Sequence, residues 1–197
     1  MKRDLSNYII ERAASGDAEA FREIYFALRS PIYGFAYRML NDAAKAEDIA
    51  QEVFIFFIEH SGKFDPERGS LFAYLCGVAR NLVFAHLKKK RNHSETWLEE
   101  ASEIESNGNG GSPLGLVLHR ELSTKIGEKV ASLPPIQREV IILRELCDLT
   151  YQEIAAVAET DVNTVKARLF RARRSLAREL TPYLTSSEEK YHALPRS

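Results

Sequence analysis

Apolar residues recur along most of the chain at intervals of three and four positions, and no sustained stretch alternates apolar with polar residues. Intervals of three and four place apolar side chains on one face of an α-helix, whereas a half-buried β-strand requires strict alternation. The pattern is interrupted between residues 92 and 115. It therefore predicts an all-α protein with two small helical domains joined by a linker.

The first predicted domain spans residues 5–91 and contains four helices. A short helix is followed by a longer one that starts after the capping residue Asp17 and that Pro31 either kinks or divides. Two further helices are predicted over residues 43–60 and 70–90. The predicted inward-facing residues of the third helix are Ile49, Val53, Phe54, Phe57 and Ile58.

Residues 92–115 have the composition of a flexible acidic linker. Segment 107–113 reads Asn-Gly-Asn-Gly-Gly-Ser-Pro, which cannot hold regular structure because glycine has high chain entropy and proline interrupts the hydrogen-bond pattern. The linker lacks lysine and arginine, and its glutamates are Glu95, Glu99, Glu100, Glu103 and Glu105. We expect a flexible connection in the free protein. The alternative is a compact form in which the domains cover each other's functional surfaces.

The second predicted domain spans residues 116–184 and is followed by a polar tail over residues 185–197. Its last helix carries six basic residues and no acidic one over residues 163–178. A shorter helix precedes it, and there Thr150 and Glu153 have the spacing of a capping box. A helix, a short turn and a cationic helix are typical of a helix-turn-helix, whose second helix enters the major groove of DNA.

The apolar face of the cationic helix consists of Val165, Leu169, Ala172 and Leu176. The predicted inward-facing residues of the first two helices of this domain are Leu118, Leu122, Ile126, Val130, Val140, Ile141, Leu143 and Leu146. A basic helix face is also often only a solvated surface or a membrane-binding surface. The capping box and the turn make DNA binding the better interpretation of this segment.

Overall charge and cysteine content exclude several other classes of protein. The 27 Lys and Arg against 28 Asp and Glu give a formal net charge of -1, so only local basic clusters indicate nucleic acid. Cys76 and Cys147 lie in apolar helical patterns and are expected to be buried free thiols. The chain has no zinc-like spacing of cysteine and histidine and no long apolar run or secretory signal. We therefore expect a cytoplasmic protein without cofactor, metal site or membrane insertion.

Four passages resemble the bacterial RNA polymerase sigma factors of the extracytoplasmic-function type, within the sigma-70 family. They cover residues 16–21, 46–54, 72–81 and, with gaps, 133–173, and their order and spacing are highly specific. The resemblance implies a subunit that is not an enzyme, binds core RNA polymerase, directs it to promoters and helps open the DNA. It leaves open whether an anti-sigma factor binds this chain.

A candidate polymerase-binding surface lies on the third helix. Asp48, Gln51, Glu52 and Ile55 share its outward face at spacings of three and four. In the family, this helix docks on the largest polymerase subunit, and carboxylates and an amide suit a partner helix rich in arginine. Without the resemblance, a solvated face would be the preferred interpretation.

The fourth helix carries candidates for binding melted DNA. Unpaired bases stack on aromatic rings while cations bind the phosphates, and an asparagine amide can read a base edge. The candidates are Tyr74, Arg80, Asn81, Lys88, Lys89, Lys90 and Arg91. By resemblance, Asn81 reads an unpaired base of the minus-ten promoter element. The alternatives are a core position for Tyr74 and simple helix-end electrostatics for the basic cluster.

By resemblance, the cationic helix binds the minus-thirty-five promoter element. Its candidate base and backbone contacts are Lys166, Ala167, Phe170 and Arg171, with Arg173 and Arg174 as phosphate contacts. The turn departs from the commonest family pattern, since Asp161 and Asn163 stand where many members have proline and glycine. Asn163 is expected to take a left-handed conformation, and Asp161 adds a negative charge close to the DNA.

Two other functions fit the sequence less well than that of a sigma factor. A stand-alone helix-turn-helix regulator would bind duplex DNA as a dimer, but the first domain shows no ligand pocket signal and no dimerising heptad. A helical enzyme with glutamate and histidine chemistry would need a constellation of such residues, and no catalytic residue is predicted.

Overall fold

The computed structural model describes residues 5–93 and 124–192, and every regular element in these ranges is helical. Most of the predicted linker, the start of the second domain and the end of the tail lie outside the described residues. The flexibility of the linker therefore stays a prediction. No helix in the described ranges is long and apolar enough to cross a membrane.

The N-terminal domain consists of four helices, with two short 3₁₀ turns before the last of them. They are α1 (Asn7–Ala14), α2 (Ala18–Leu40), α3 (Ala43–His60) and α4 (Leu71–His93), and the turns are Ser61–Lys63 and Pro66–Arg68. Helix α2 runs through Pro31 without a break, so this proline does not divide it.

Aspartate side chains start the second and third helices. The Asp17 carboxylate accepts hydrogen bonds from the amides of Glu19 and Ala20 at 2.9 and 3.2 Å, and so satisfies amides that have no partner within the helix. Asp42 caps α3 in the same way. Between the two helices, Asn41 has a φ of 54°, a left-handed conformation that ends α2.

The core of the N-terminal domain is formed by the apolar faces that the sequence predicts, with one correction. Phe35 and Phe57 are among its largest fully buried side chains. Ile58, however, is 60% exposed, so its predicted burial is wrong. Successive helical residues lie about 100° apart, and Ile58 therefore turns away from the face that Phe57 occupies.

The C-terminal domain has four further helices within residues 124–192. They are α5 (124–132), α6 (Pro135–Glu145), α7 (Tyr151–Val157) and α8 (Val162–His192). The capping box is confirmed, since the Glu153 amide donates to the Thr150 hydroxyl while the Glu153 carboxylate accepts from the Thr150 amide. Ile126 and Leu146 are 37% and 41% exposed, contrary to prediction. Leu146 is the C-cap that follows Glu145, so it lies beyond the last residue of α6 and the helical period does not predict its burial.

The two domains pack against each other. Helix α6 contacts α2, helix α7 contacts α4, and the buried apolar residues of both domains form one core cluster. The structure thus has the compact arrangement of the domains, in which part of α4 is covered.

Candidate functional site

Helix α3 presents the predicted polymerase-binding residues together on one exposed surface. Asp48, Gln51, Glu52 and Ile55 are all exposed, whereas Ile49 and Val53 beneath them are buried. We call these four residues the α3 face. Because the inward residues fix the rotation of the helix, the four outward side chains keep a constant direction.

Charged neighbours hold the acidic side of the α3 face in place. Lys45 Nζ lies 3.2 Å from Asp48 Oδ2, and Gln51 donates a hydrogen bond to Glu47 over 3.5 Å. Glu47 accepts from Arg29 of α2 at 2.6 Å, and this hydrogen bond lowers the pKa of the Glu47 carboxyl. Arg29 thus favours the ionised form of Glu47, which borders the α3 face.

Two apolar residues near this surface, Ile58 and Phe26, are exposed although the sequence did not predict their exposure. Ile58 lies three residues after Ile55, so both isoleucines are on the same side of α3. Phe26 of α2 is 72% exposed and lines a shallow depression with Arg29 and Glu47. A mismatch to the apolar period was the only signal for Phe26, which follows the half-buried Tyr25.

The predicted DNA-binding residues of helix α4 form two groups, one exposed and one partly covered by the C-terminal domain. Asn81, Lys88, Lys89, Lys90 and Arg91 are exposed. Tyr74 is half-buried, its ring centroid lies 5.6 Å from that of Phe64, and burial raises the pKa of its hydroxyl. It lines a cavity to which Glu153, Ala156 and Val157 of α7 also contribute.

Arg80 is the second covered residue of α4, and it contacts the C-terminal domain. Its Nε lies 2.5 Å from Oε1 of Glu139 on α6, and its Nη2 donates to the Ala158 carbonyl over 3.4 Å. The Arg80 side chain is only 17% exposed. Its Nη1 also donates to the Asn81 side-chain oxygen over 3.3 Å. Arg80 thus joins two domains here, a role that its position in the sequence did not predict.

Glu139 is a buried carboxylate that the sequence analysis missed. The residue is 0% exposed, and burial raises the pKa of its carboxyl although the charge of Arg80 opposes this change. One signal was available, because a glutamate stands directly before the apolar run 140–143. A charge beside such a run is usually paired when it is buried.

Helix α8 exposes all the residues predicted to contact the upstream promoter element. Lys166, Ala167, Phe170, Arg171, Arg173 and Arg174 are exposed. Val165, Leu169 and Ala172 are buried on the opposite face, as predicted. Arg173 differs from the other cations because it forms a 2.6 Å ion pair with Glu145 of α6, whose hydrogen bond raises the pKa of Arg173.

The turn between α7 and α8 corrects the predicted conformation of Asn163. Helix α8 already starts at Val162, so Asn163 is helical, and Glu159 takes the left-handed conformation with a φ of 50°. Glu159 directly follows Ala158, the C-cap of α7, and chains often turn left-handed at this position. Asp161 accepts a 2.9 Å hydrogen bond from the Thr164 amide, and hydrogen bonds from Thr164 lower its carboxyl pKa. This acidic residue therefore starts the helix.

Within the described ranges, no group of three or more His, Cys, Asp or Glu side chains is arranged to hold a metal ion. Cys76 and Cys147 are both buried, and neither forms a disulfide.

Each domain matches a known family. The profile of Sigma-70 region 2 matches residues 24–93, and the profile of Sigma-70 region 4 matches residues 123–176. The chain is 34% identical over 179 residues to the ECF RNA polymerase sigma factor SigW of Bacillus subtilis, covering 87% of this chain and 94% of SigW. It is 29% identical over 190 residues to the RNA polymerase sigma-H factor of Pseudomonas aeruginosa, covering 93% and 98% of the two chains.

Solved structures share the fold at lower identity. The sigma factor RpoE of Bartonella quintana, in complex with the anti-sigma factor NepR, has a TM-score of 0.69 at 22% identity. The alignment covers 83% of this chain and 98% of RpoE. CnrH, in complex with the cytosolic domain of CnrY, has a TM-score of 0.65 at 22% identity and covers 91% and 99%.

The two family matches include the N-terminal domain as well as the helix-turn-helix, so a stand-alone helix-turn-helix regulator is not favoured. The chain acts in transcription initiation as a sigma factor, which binds core RNA polymerase and directs it to promoters. It belongs to the sigma-70 family, in the extracytoplasmic-function group.

Proposed function

We propose that three surfaces of this sigma factor have separate binding roles in transcription initiation. The α3 face binds core RNA polymerase, α4 binds the melted minus-ten element, and α8 binds the minus-thirty-five duplex. The observation that supports this division is the separation of charge, with carboxylates exposed on α3 and six cations on residues 163–178 of α8. The protein then acts in the cytoplasm as a specificity subunit and not as an enzyme.

The α3 face fits a cationic helix of the polymerase. Two exposed carboxylates, Asp48 and Glu52, would form charge-assisted hydrogen bonds to arginine, and the exposed side chain of Ile55 would lose water on contact. Charge complementarity across such an interface mainly sets the specificity and the rate of association.

Reversing both carboxylates, by Asp48→Lys with Glu52→Lys, should weaken core binding at least about tenfold, or about 1.4 kcal/mol. The new lysines would repel a cationic partner, while the buried side of α3 stays unchanged. The affinity of fluorescently labelled protein for purified core polymerase, with helicity checked by circular dichroism, measures this effect.

A matched control is Glu11→Lys with Glu128→Lys, which makes the same change of net charge at two exposed positions on other helices. This control should bind core polymerase as the wild type does. If the α3 variant also binds unchanged, the α3 face is a solvated surface and the docking assignment is wrong.

On α4, Asn81 is the residue proposed to read a base. Its amide is exposed beside Arg80, and the exposed cations Lys88 and Lys89 follow on the same helix. Asn81→Ala should lower transcription from the cognate promoter and relax the preference at one minus-ten position, at a cost of about 1–3 kcal/mol. In vitro transcription on a set of single-base promoter variants measures both effects.

Asn92→Ala provides the control for Asn81, because Asn92 is an exposed asparagine near the end of the same helix. It should leave the base preference unchanged. An equal loss on all promoter variants for Asn81→Ala would mean that Asn81 has a structural role and does not read a base.

An anti-sigma factor is a further proposed partner. RpoE of Bartonella quintana, which shares this fold, was solved in complex with the anti-sigma factor NepR. By analogy, we expect a regulatory protein to hold this chain away from polymerase by covering the α3 face. Co-purification from cells would identify such a partner.

A further inference from the structure

Several polar contacts join the two domains, and we call the three shortest of those within the described ranges the clasp. They are Arg138 Nη1 to the Met39 carbonyl at 2.6 Å, Arg80 Nε to Glu139 Oε1 at 2.5 Å, and Ser70 Oγ to Glu153 Oε1 at 2.7 Å. Each contact brings a different part of the N-terminal domain to the C-terminal domain. The clasp therefore fixes both the position and the rotation of one domain against the other.

The Arg80–Glu139 ion pair is the central contact of the clasp. Glu139 is fully buried, and its second oxygen, Oε2, has no hydrogen-bond partner among the described residues. Arg80 is therefore the cation that pairs directly with this carboxylate. The positive charge of Arg168 on α8 also stabilises the ionised carboxylate, but less than Arg80 does. Removing one partner of a buried ion pair leaves an uncompensated charge, which is strongly unfavourable.

Arg138 strengthens the clasp from the neighbouring position of α6. Its guanidinium donates to the Met39 carbonyl in the last turn of α2, where a helix favours a positive charge. It also donates to the carbonyls of Ala131 and Leu133 within its own domain. Two consecutive residues of α6 thus hold α2 and α4 at the same time.

The clasp covers one part of the proposed DNA-binding surface and leaves another part open. Arg80 is 17% exposed, and Tyr74 lines a cavity that α7 helps to enclose. In contrast, Lys166 and Arg171 of α8 are exposed. In this arrangement, α7 blocks the approach of an unpaired base to Tyr74, and Glu139 occupies the guanidinium of Arg80 that would otherwise bind a phosphate. A DNA duplex could still reach α8.

We propose that the clasp is an autoinhibitory contact, in which Glu139 holds Arg80 and keeps the helix-turn-helix domain over the base-stacking part of α4. This proposal rests on the DNA-binding role proposed above for α4. Free protein binds melted DNA weakly because the closed form predominates, and separation of the domains exposes Arg80 and Tyr74. The apparent affinity for single-stranded DNA then scales with the open fraction.

The test uses the full chain with Glu139→Gln, which removes the charge and keeps the side-chain volume. Its control, Glu128→Gln, makes the same charge change at an exposed position of the same domain. Small-angle scattering measures the separation of the domains. Fluorescence anisotropy measures the affinity for a labelled single-stranded oligonucleotide of random sequence and for its duplex, and circular dichroism monitors folding.

We expect Glu139→Gln to increase the radius of gyration and to bind the single strand about tenfold more tightly, with duplex affinity unchanged. The control should match the wild type in all three measurements. Arg80→Gln, scored by scattering alone because Arg80 is a proposed DNA contact, should open the domains in the same way. This second variant keeps the test decisive should Glu139→Gln fold poorly.

The possible results separate the two proposals. Unchanged scattering for both variants would overturn the clasp. Opened domains with unchanged single-strand affinity would overturn the autoinhibition and would locate the failure in the DNA-binding role of α4. Tighter binding of single strand and duplex alike would show a general gain of positive charge, which also contradicts the proposal.

Discussion

Val165→Asp should abolish recognition of the upstream promoter element by unfolding the helix-turn-helix. Val165 is 0% exposed and lies beside Leu169 on the buried face of α8. An unpaired carboxylate at such a position should cost roughly 3–5 kcal/mol. This is comparable with the whole stability of a small domain, about 5 kcal/mol at the low end. Hydrogen exchange in residues 135–176 measures the loss of stability directly.

Ala177→Asp is the control for this prediction, since it introduces the same residue at an exposed position of the same helix. It should leave the domain folded, with only a small loss of helix propensity. A Val165→Asp variant with wild-type hydrogen exchange would mean that the face of α8 carrying Val165 is not the buried one.

The local features of the fold could be predicted because each depends on residues close together in the sequence. The inward positions Val165 and Leu169 follow from the helical period, and the capping box needs only Thr150 and Glu153. Residues at the edge of a helix face or at a helix end are harder, as the exposure of Ile58 shows. There, small differences in how neighbouring helices meet decide which side chain is covered.

The clasp could not be predicted, because its partners are far apart in the sequence. Arg80 and Glu139 are separated by 59 residues and Met39 and Arg138 by 99. No local pattern in the sequence specifies such pairs. The position of Glu139 beside an apolar run indicated that it needs a partner if it is buried, but not which residue that partner is. The same limit applies to Arg80, which sequence reasoning assigned to DNA and which the structure joins to α6.

The structure also refines which cations of α8 are available to DNA. Arg173 is already paired with Glu145 at 2.6 Å, so binding DNA with Arg173 would require this ion pair to break. Lys166, Arg171 and Arg174 are exposed, and Phe170 between them is 65% exposed. An exposed aromatic ring among cations fits contact with sugar or a thymine methyl group. The strongest test of α8 therefore uses Lys166 and Arg171.

Lys166→Ala with Arg171→Ala should cost about 2–6 kcal/mol in binding of the minus-thirty-five element and should change which bases are preferred there. Base-edge contacts carry sequence information, whereas phosphate contacts do not. Arg174→Ala should instead weaken binding on all sequences and reduce the log–log salt slope by about one. Footprinting of the reconstituted polymerase complex, together with affinities measured over a series of salt concentrations, distinguishes the two kinds of residue.

Arg178→Ala is the matched control, because Arg178 is an 80% exposed cation of the same helix that lies beyond the region 4 match. It should leave both upstream protection and base preference unchanged. The stability of the domain should also remain unchanged in every exposed variant, since none of these side chains lies in the core. If the Lys166 and Arg171 double variant still protects the upstream element with the original base preference, α8 is not the reader, and its cations form only a solvated surface.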